Sequence, residues 1–174
     1  SLAACGGSKD TASTTDSSAA SSAEASGSDT FKIGATGPIT GGAAIYGNAV
    51  KNGIQIAVDE INEAGGINGY QIDYNFQDDE HDAEKAVNAY NNLKDWGMQV
   101  LIGTTTSAPC IAVVEKTHAD NMFQITPSGT AVECVQYDNA YRMCFSDPTQ
   151  GTESAKYIGE NGMAQKVAVI YDSS

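Results

Sequence analysis

At 174 residues with 41% hydrophobic content, the chain carries enough apolar material for one ordinary core, or for one core and part of another. Nine Lys and Arg face 22 Asp and Glu, a net charge of −13 at pH 7, and such a field repels phosphate backbones and anionic headgroups, so nucleic acid is excluded as a partner class. No apolar run approaches the ~18–20 residues that a membrane-spanning helix needs.

In chain order, the first feature is Ser1-Leu2-Ala3-Ala4-Cys5 followed by Gly6-Gly7. A cysteine directly after small residues reads as a lipobox, in which a signal peptide is cut before the cysteine and its sulfur takes a diacylglycerol. Cys5 is therefore the expected lipidation site and membrane attachment, with residues 1–4 the remnant of a signal peptide. From Gly6 to Ser28 the residues are nearly all Ser, Thr, Ala, Gly and Asp, with no aromatic and no branched aliphatic side chain. Nothing there offsets the entropy of ordering the chain, so residues 5–29 read as a flexible tether.

From Thr30 short apolar runs alternate with amphipathic stretches. Phe31 to Ala35 reads as a strand, and Tyr46, Val50, Ile54, Ala57, Val58 and Ile61 recur at helical spacing until Gly65-Gly66 stops the helix. Tyr70 to Phe76 alternates as a second strand. Ala83, Ala86, Val87, Tyr90, Leu93 and Trp96 form the stripe of a second helix, begun by Asp82 and ended by Gly97. Val100 to Ile102, short and wholly apolar, suits a buried parallel strand. Pro109 to Asn121 reads as its helix, Met122 to Ile125 as a fourth strand, Tyr141 to Phe145 as a fifth, Pro148 to Asn161 as another helix and Val167 to Tyr171 as a sixth strand. The expected fold class is α/β, a parallel sheet flanked by helices on both faces.

In such sheets ligands bind outside the carboxyl ends of the strands, which directs attention to Gly37 to Gly47, Gly103 to Ala108 and Thr126 to Ala131. These loops supply hydroxyls, glycines and helix N-termini, a set suited to a small carboxylate. Gly37-Pro38-Ile39-Thr40-Gly41-Gly42 matches neither the dinucleotide fingerprint nor a Walker loop. Ser107 with His81 or His118 is the one nucleophile worth naming, but it lies in no G-x-S-x-G elbow. The run Asp78-Asp79-Glu80-His81-Asp82 invites a metal, yet it falls where a strand gives way to a helix, and carboxylates there cap free N–H groups. No metal and no cofactor is expected.

An ordered set of short motifs supports a family resemblance. It comprises Ile33-Gly34 leading to Gly37-Pro38-Ile39-Thr40-Gly41 and Tyr46-Gly47, then Ala57 to Asn62 with Gly65 to Gly69. Asp78-Asp79, Val100 to Gly103, Ile125-Thr126-Pro127, Gln150-Gly151 and Ala155 to Ile158 follow. In these the chain resembles the leucine/isoleucine/valine-binding protein family of type 1 periplasmic and lipoprotein receptors, over Phe31 to Ser174. The resemblance implies a two-lobed clamshell, with residues 30–146 as the N-terminal ligand-binding lobe and 147–174 as the incomplete start of the second. It implies an extracytoplasmic receptor that binds a branched-chain or other small amino acid without converting it, and passes it to an ABC permease. By the family pattern Ser107 donates to the ligand carboxylate, Thr130 binds the same headgroup, the Ser128 carbonyl takes the ammonium and Tyr46 packs over the ligand side chain. The structural alternatives are Ser107 and Thr130 as helix caps and Tyr46 as core. A sensor for an amino acid, amide or urea is the alternative function, and a serine hydrolase a third.

The chain also departs from the family pattern. In the branched-chain prototype a disulfide joins the positions that are His81 and Thr106 here, so that bridge cannot form. Cys110, Cys134 and Cys144 remain; an exported compartment favours oxidation, and Cys134 with Cys144 would close a short loop worth ~2–3 kcal/mol, leaving Cys110 as a buried thiol. The pairing stays open at this point. Family members are roughly twice as long, so 147–174 is expected to find little to pack on and the 174-residue chain to bind its ligand weakly.

Overall fold

The computed structural model describes residues 30–171. Cys5 and the expected lipobox and tether lie outside them. Five strands, β1 (Thr30–Gly37), β2 (Gln71–Asp78), β3 (Val100–Ile102), β4 (Gln124–Thr126) and β5 (Ala140–Arg142), pair in the order β2-β1-β3-β4-β5, every pair parallel. Helices α1 (Ala44–Glu63), α2 (Ala83–Trp96) and α3 (Ser107–Ala119) make the crossovers, and α4 (Asp147–Glu160) follows the sheet. The expected parallel sheet with helices on both faces is present.

Strand order decides which face each helix takes. The chain first steps outward from β1 to β2, then returns past β1 to β3 and β4; right-handed crossovers therefore put α1 on one face and α2 and α3 on the other. Leu101 of β3 packs with Ala86, Tyr90 and Leu93 of α2, with Val113 of α3 and with Met98 from the α2–β3 connection in one cluster, in which Tyr90, Leu93, Leu101 and Val113 are fully buried. Each such side chain contributes about 1.5–3 kcal/mol by leaving water. The caps of α2 are those the sequence predicts: Asp82 Oδ1 accepts from Lys85 N at 2.8 Å, and Gly97 ends the helix in the left-handed region at φ 93°.

On the opposite face α1 is alone. Ile33, Ile72 and Ile102 look toward Val50, Ile54, Ala57, Val58 and Ile61 of α1, and the wedge between them, extending to Pro127 and Met143, is an apolar groove of about 560 Å³ with no polar side chain in its wall. The sheet surface over β3 to β5 on this side has no helix of the described residues upon it.

Boundaries shift from expectation for identifiable reasons. The fourth strand starts at Gln124, because Met122 N is still bonded to Thr117 O at 2.8 Å as α3 unwinds. Gln124 is itself fully buried, its Nε2 donating to Gly103 O at 2.8 Å and its Oε1 accepting from Thr117 Oγ1 at 2.6 Å. The fifth strand is Ala140–Arg142, not Tyr141 to Phe145. The expected sixth strand is absent among the described residues: Val167 to Tyr171 has no strand assignment, and Ile170 is 98% exposed. A strand exists only with a partner ladder, and apolar composition alone supplies none. Helix α4, capped by Ser146 Oγ on Thr149 N at 3.3 Å, has no buried residue.

Candidate ligand-binding cleft

The sheet reverses its winding between β1 and β3, so the loops leaving their carboxyl ends diverge to opposite faces and open a crevice. In that crevice Tyr46, Thr105, Thr106, Ser107, Ser128, Thr130, Cys144 and Phe145 line one cavity of about 380 Å³. All four residues that the sequence nominates for the ligand, Tyr46, Ser107, Ser128 and Thr130, line it. Thr105, Thr106 and Phe145 are additions from the structure; the two threonines sit inside a loop to which the strand rule points, whereas Phe145 carries no signal beyond its place in an apolar run. Cys144 also stands in this wall.

Each wall is built by local chemistry. Tyr46 stands in the first turn of α1, 62% exposed, and so is not core. Its position depends on Gly47, where a Cβ would overlap the Pro38 carbonyl; only glycine lets α1 press onto the loop after β1. That loop is pinned from the other side by Asp78, which accepts from Ile39 N at 3.0 Å and Thr40 Oγ1 at 2.6 Å. Burial alone raises the Asp78 carboxyl, but the Thr40 hydroxyl and the Ile39, Glu80 and Thr40 amides outweigh it and hold the group below its usual range.

The second wall is the loop after β3. Thr105 is tied to Thr36 O through both Oγ1 (3.1 Å) and its amide (3.2 Å). Thr106 precedes α3 without capping it, because its hydroxyl is engaged with His81 Nδ1 at 2.8 Å. A hydrogen bond thus joins the two positions that the family pattern bridges with a disulfide. The start of α3, with the amides of Ser107 and Ala108 and its positive dipole end, lies at the cavity uncapped by any side chain.

The third wall follows β4. Thr126 Oγ1 donates to Thr104 O at 2.7 Å and accepts from Gly129 N at 2.8 Å, so one buried hydroxyl couples this loop to the one after β3. Ser128 Oγ donates to Thr105 O across the same seam. Ser107 Oγ accepts from Ala131 N at 3.3 Å, and Arg142 Nη1 holds the carbonyls of Thr130 (3.3 Å) and Ala131 (2.9 Å).

The remaining sequence candidates resolve differently. Asp82 caps α2, Glu80 pairs with Lys85 Nζ at 2.6 Å, and Asp79 Oδ1 accepts from His81 N at 2.9 Å, so each carboxylate of the acidic run has a structural partner. Asp79 is fully buried with Oδ2 unpartnered; burial, opposed by the His81 amide and helped by the Asp78 charge, pushes its carboxyl up to about 6. Neither histidine addresses Ser107: His81 is bound to Thr106, and His118 stacks on Tyr137 with ring centroids 4.0 Å apart at the other end of α3. The pairing of Cys134 with Cys144 is not what the structure shows, since all three described cysteines are free. Cys144 Sγ is turned to Gly129 O at 3.6 Å, while Cys134 is turned inward, 3.8 Å from Ser107 O.

Comparison with known proteins agrees with this architecture. A family model described as periplasmic binding protein matches residues 30–174. The chain is 35% identical over 142 residues to the Leu/Ile/Val-binding protein BraC3 of Rhizobium johnstonii, spanning 80% of this chain and 39% of that protein. It is 33% identical over 146 residues to the leucine-, isoleucine-, valine-, threonine-, and alanine-binding protein of Pseudomonas aeruginosa, spanning 83% of this chain and 39% of that one. Among solved structures, the branched-chain amino acid transporter substrate binding protein LivJ of Streptococcus pneumoniae, in complex with isoleucine, superposes with a TM-score of 0.71 at 33% identity, covering 76% of this chain and 38% of that chain. The leucine binding protein LivK of Thermotoga maritima gives 0.69 at 28% identity, covering 78% and 38%. The chain therefore spans about two fifths of the length of the relatives it matches, and over that span it belongs to the periplasmic binding protein family.

Proposed function

We infer that residues 30–146 form the lobe of an extracytoplasmic amino-acid receptor that holds the ligand headgroup, and that the receptor serves an ABC importer to which Cys5 keeps it close through a lipid anchor. The observation that carries this reading is the convergence of Tyr46, Ser107, Ser128 and Thr130 on one cavity at the switch point of the sheet. Ser107 and Thr130 hydroxyls and the amides opening α3 address the carboxylate, the Ser128 carbonyl addresses the ammonium, and Tyr46 covers the side chain. Proteins with similar sequences bear the names of receptors for leucine, isoleucine and valine, which supports a small apolar amino acid as ligand. Such a ligand is released unchanged, its energy of binding used to close two lobes.

The test is a thermal-shift screen of the full-length receptor against amino acids, small amides and urea. Binding to the folded state alone raises the midpoint, by an amount set by about 2.7 kcal/mol at a hundredfold excess over Kd. A shift with leucine, isoleucine or valine that Ser107→Ala and Thr130→Ala each reduce supports the reading; no response to any amino acid, in a protein that melts cooperatively, refutes it.

A further inference from the structure

Two thiols that take no part in the proposed binding lie directly beneath the cleft. Cys110 is three residues beyond Ser107 in the first turn of α3, and Cys134 is four beyond Thr130, in a short 3-10 helix (Val132–Val135). Both are completely buried. The short helix packs against α3, Cys134 Sγ lies 3.8 Å from Ser107 O, in the same turn as Cys110, and Cys110 Sγ accepts from Gln124 Nε2 at 3.5 Å. The loop between them is packed down onto the pair, since a Cβ on Gly129 would stand 3.0 Å from Cys134 Sγ. Cys144, the other described cysteine, faces away toward Gly129 O.

We propose that Cys110 and Cys134 are a disulfide-forming pair that staples the start of α3 to the loop carrying Thr130. The staple joins two of the three walls of the cleft from below, so it sets the distance between the groups that would grip opposite sides of a ligand headgroup. The two sulfurs differ once they are packed in the fold. In the fold the neighbouring Cys134 thiol draws Cys110 down against the effect of its burial, helped by backbone and hydroxyl groups of Thr104 and Thr126, while the Cys110 thiol and burial push Cys134 far up. Cys110 also stands in the first turn of a helix, where the dipole favours a thiolate.

The oxidant is a disulfide, either a protein thiol oxidase of the extracytoplasmic space or oxidised glutathione. The Cys110 thiolate attacks one oxidant sulfur, breaking the S–S bond, expelling one thiolate and leaving a mixed disulfide. Cys134 then gives up its proton and attacks Cys110 Sγ, expelling the second thiolate. The protein loses two hydrogens, and the oxidant gains two electrons and two protons as two thiols. Because both sulfurs are sealed in the finished fold, the bond forms while the lobe is folding. Its formation in the cell rests on the extracytoplasmic reading above, but its formation in a test tube does not.

The experiment is to refold the full chain in a glutathione redox buffer, alkylate free thiols under denaturing conditions, digest without reductant and identify linked peptides by mass spectrometry. The expected result is a Cys110–Cys134 linked peptide, with Cys144 alkylated. Closing a loop of about 25 residues predicts that reduction lowers the unfolding midpoint by about 10 °C; Cys144→Ser keeps that response and Cys134→Ser loses it. Alkylation of all three thiols, or a link to Cys144 or Cys5, overturns the proposal. The linkage is read on the unsubstituted chain, so the outcome does not depend on a variant folding. A missing link leaves amino-acid binding untouched, and a failed ligand screen leaves the link untouched.

Discussion

Replacing Thr126 by valine tests whether one hydroxyl couples two walls of the cleft. The side chain is fully buried, and its Oγ1 bonds Thr104 O at 2.7 Å and Gly129 N at 2.8 Å. Valine keeps the shape, so no cavity forms and only the hydroxyl is lost. With it go two hydrogen bonds, each worth about 1 kcal/mol net, and what remains is a buried carbonyl and a buried amide with a methyl group in place of their partner, at about 1–3 kcal/mol per stranded group. Partial relaxation of a surface-adjacent loop brings the expected loss to about 2–4 kcal/mol. Urea unfolding followed by the fluorescence of the single tryptophan, Trp96, reads this directly, since the residue is half-buried at the end of α2. With a slope of about 2 kcal/mol per molar, the midpoint falls by about 1–2 M. The exposed Thr152 on α4, changed to valine in the same way, should cost less than about 0.5 kcal/mol. If the two variants lose the same small amount, the Thr126 hydroxyl is not a strut and the cleft is held by packing alone.

Ser107→Ala removes one donor aimed at a carboxylate and should weaken amino-acid binding by about 1.5–3 kcal/mol, tenfold or more in Kd by calorimetry, with folding stability nearly unchanged. Gly47→Ala, by contrast, drives a methyl group into the Pro38 carbonyl and should both destabilise the lobe and displace Tyr46; circular dichroism melts that match the unsubstituted chain would show that α1 yields freely. Asp79 supplies a pH test. Its carboxyl titrates near 3.8 when exposed and about 6 in the fold, so the folded state binds the proton more tightly. Its contribution to stability is greatest below about pH 4, declines between about pH 4 and 6 and is flat above. Asp79→Asn keeps an acceptor for His81 N and cannot ionise, so its stability relative to the parent should rise by about 3 kcal/mol between about pH 4 and pH 7. A constant difference across that range, in urea titrations at each pH, would mean that Asp79 is not desolvated.

Most of the scaffold is legible because periodicity and punctuation agree. Asp82 and Gly97 bound α2, the apolar stripe at Ala86, Tyr90 and Leu93 is its buried face, and the wholly apolar Val100 to Ile102 is an interior strand. The cleft is legible for a different reason: a parallel sheet with helices on both faces has a switch point, and the loops beyond it are fixed by strand order. What escapes is whatever depends on partners distant in sequence. Gln124 falls in the predicted fourth strand with no partner for its amide in the local sequence, yet Thr117 and Gly103 satisfy it inside the core. Val167 to Tyr171 reads as a strand, yet no ladder among the described residues meets it. Closeness in sequence offers Cys134 with Cys144 as one open pairing, whereas the turn at Val132–Val135 brings Cys134 against Ser107 O at the start of α3. Local pattern reports propensity, and the third dimension decides who is near whom.

The charge balance bears on which headgroup the cleft suits. Nine cationic residues serve a chain of net charge −13, and none of the side chains lining the cavity is charged. Arg142, a cation behind the third wall, has its Nη1 committed to the carbonyls of Thr130 and Ala131. A phosphate, sulfate or dicarboxylate would therefore enter against a repulsive field and find only dipoles to replace its water, a poor exchange for a full net charge. An amino-acid zwitterion has no net charge for that field to repel. Its carboxylate needs several aimed donors and its ammonium a few acceptors within the span of one headgroup. The hydroxyls and helix-end amides on the adjoining walls, with the loop carbonyl proposed at Ser128, fit that pattern without a countercharge. The same wall suits release of the ligand intact. Ser107 Oγ accepts from the Ala131 amide, while His81 is bound to Thr106 and His118 stacks on Tyr137, an arrangement that supports the proposed role of this hydroxyl as a donor to a ligand carboxylate.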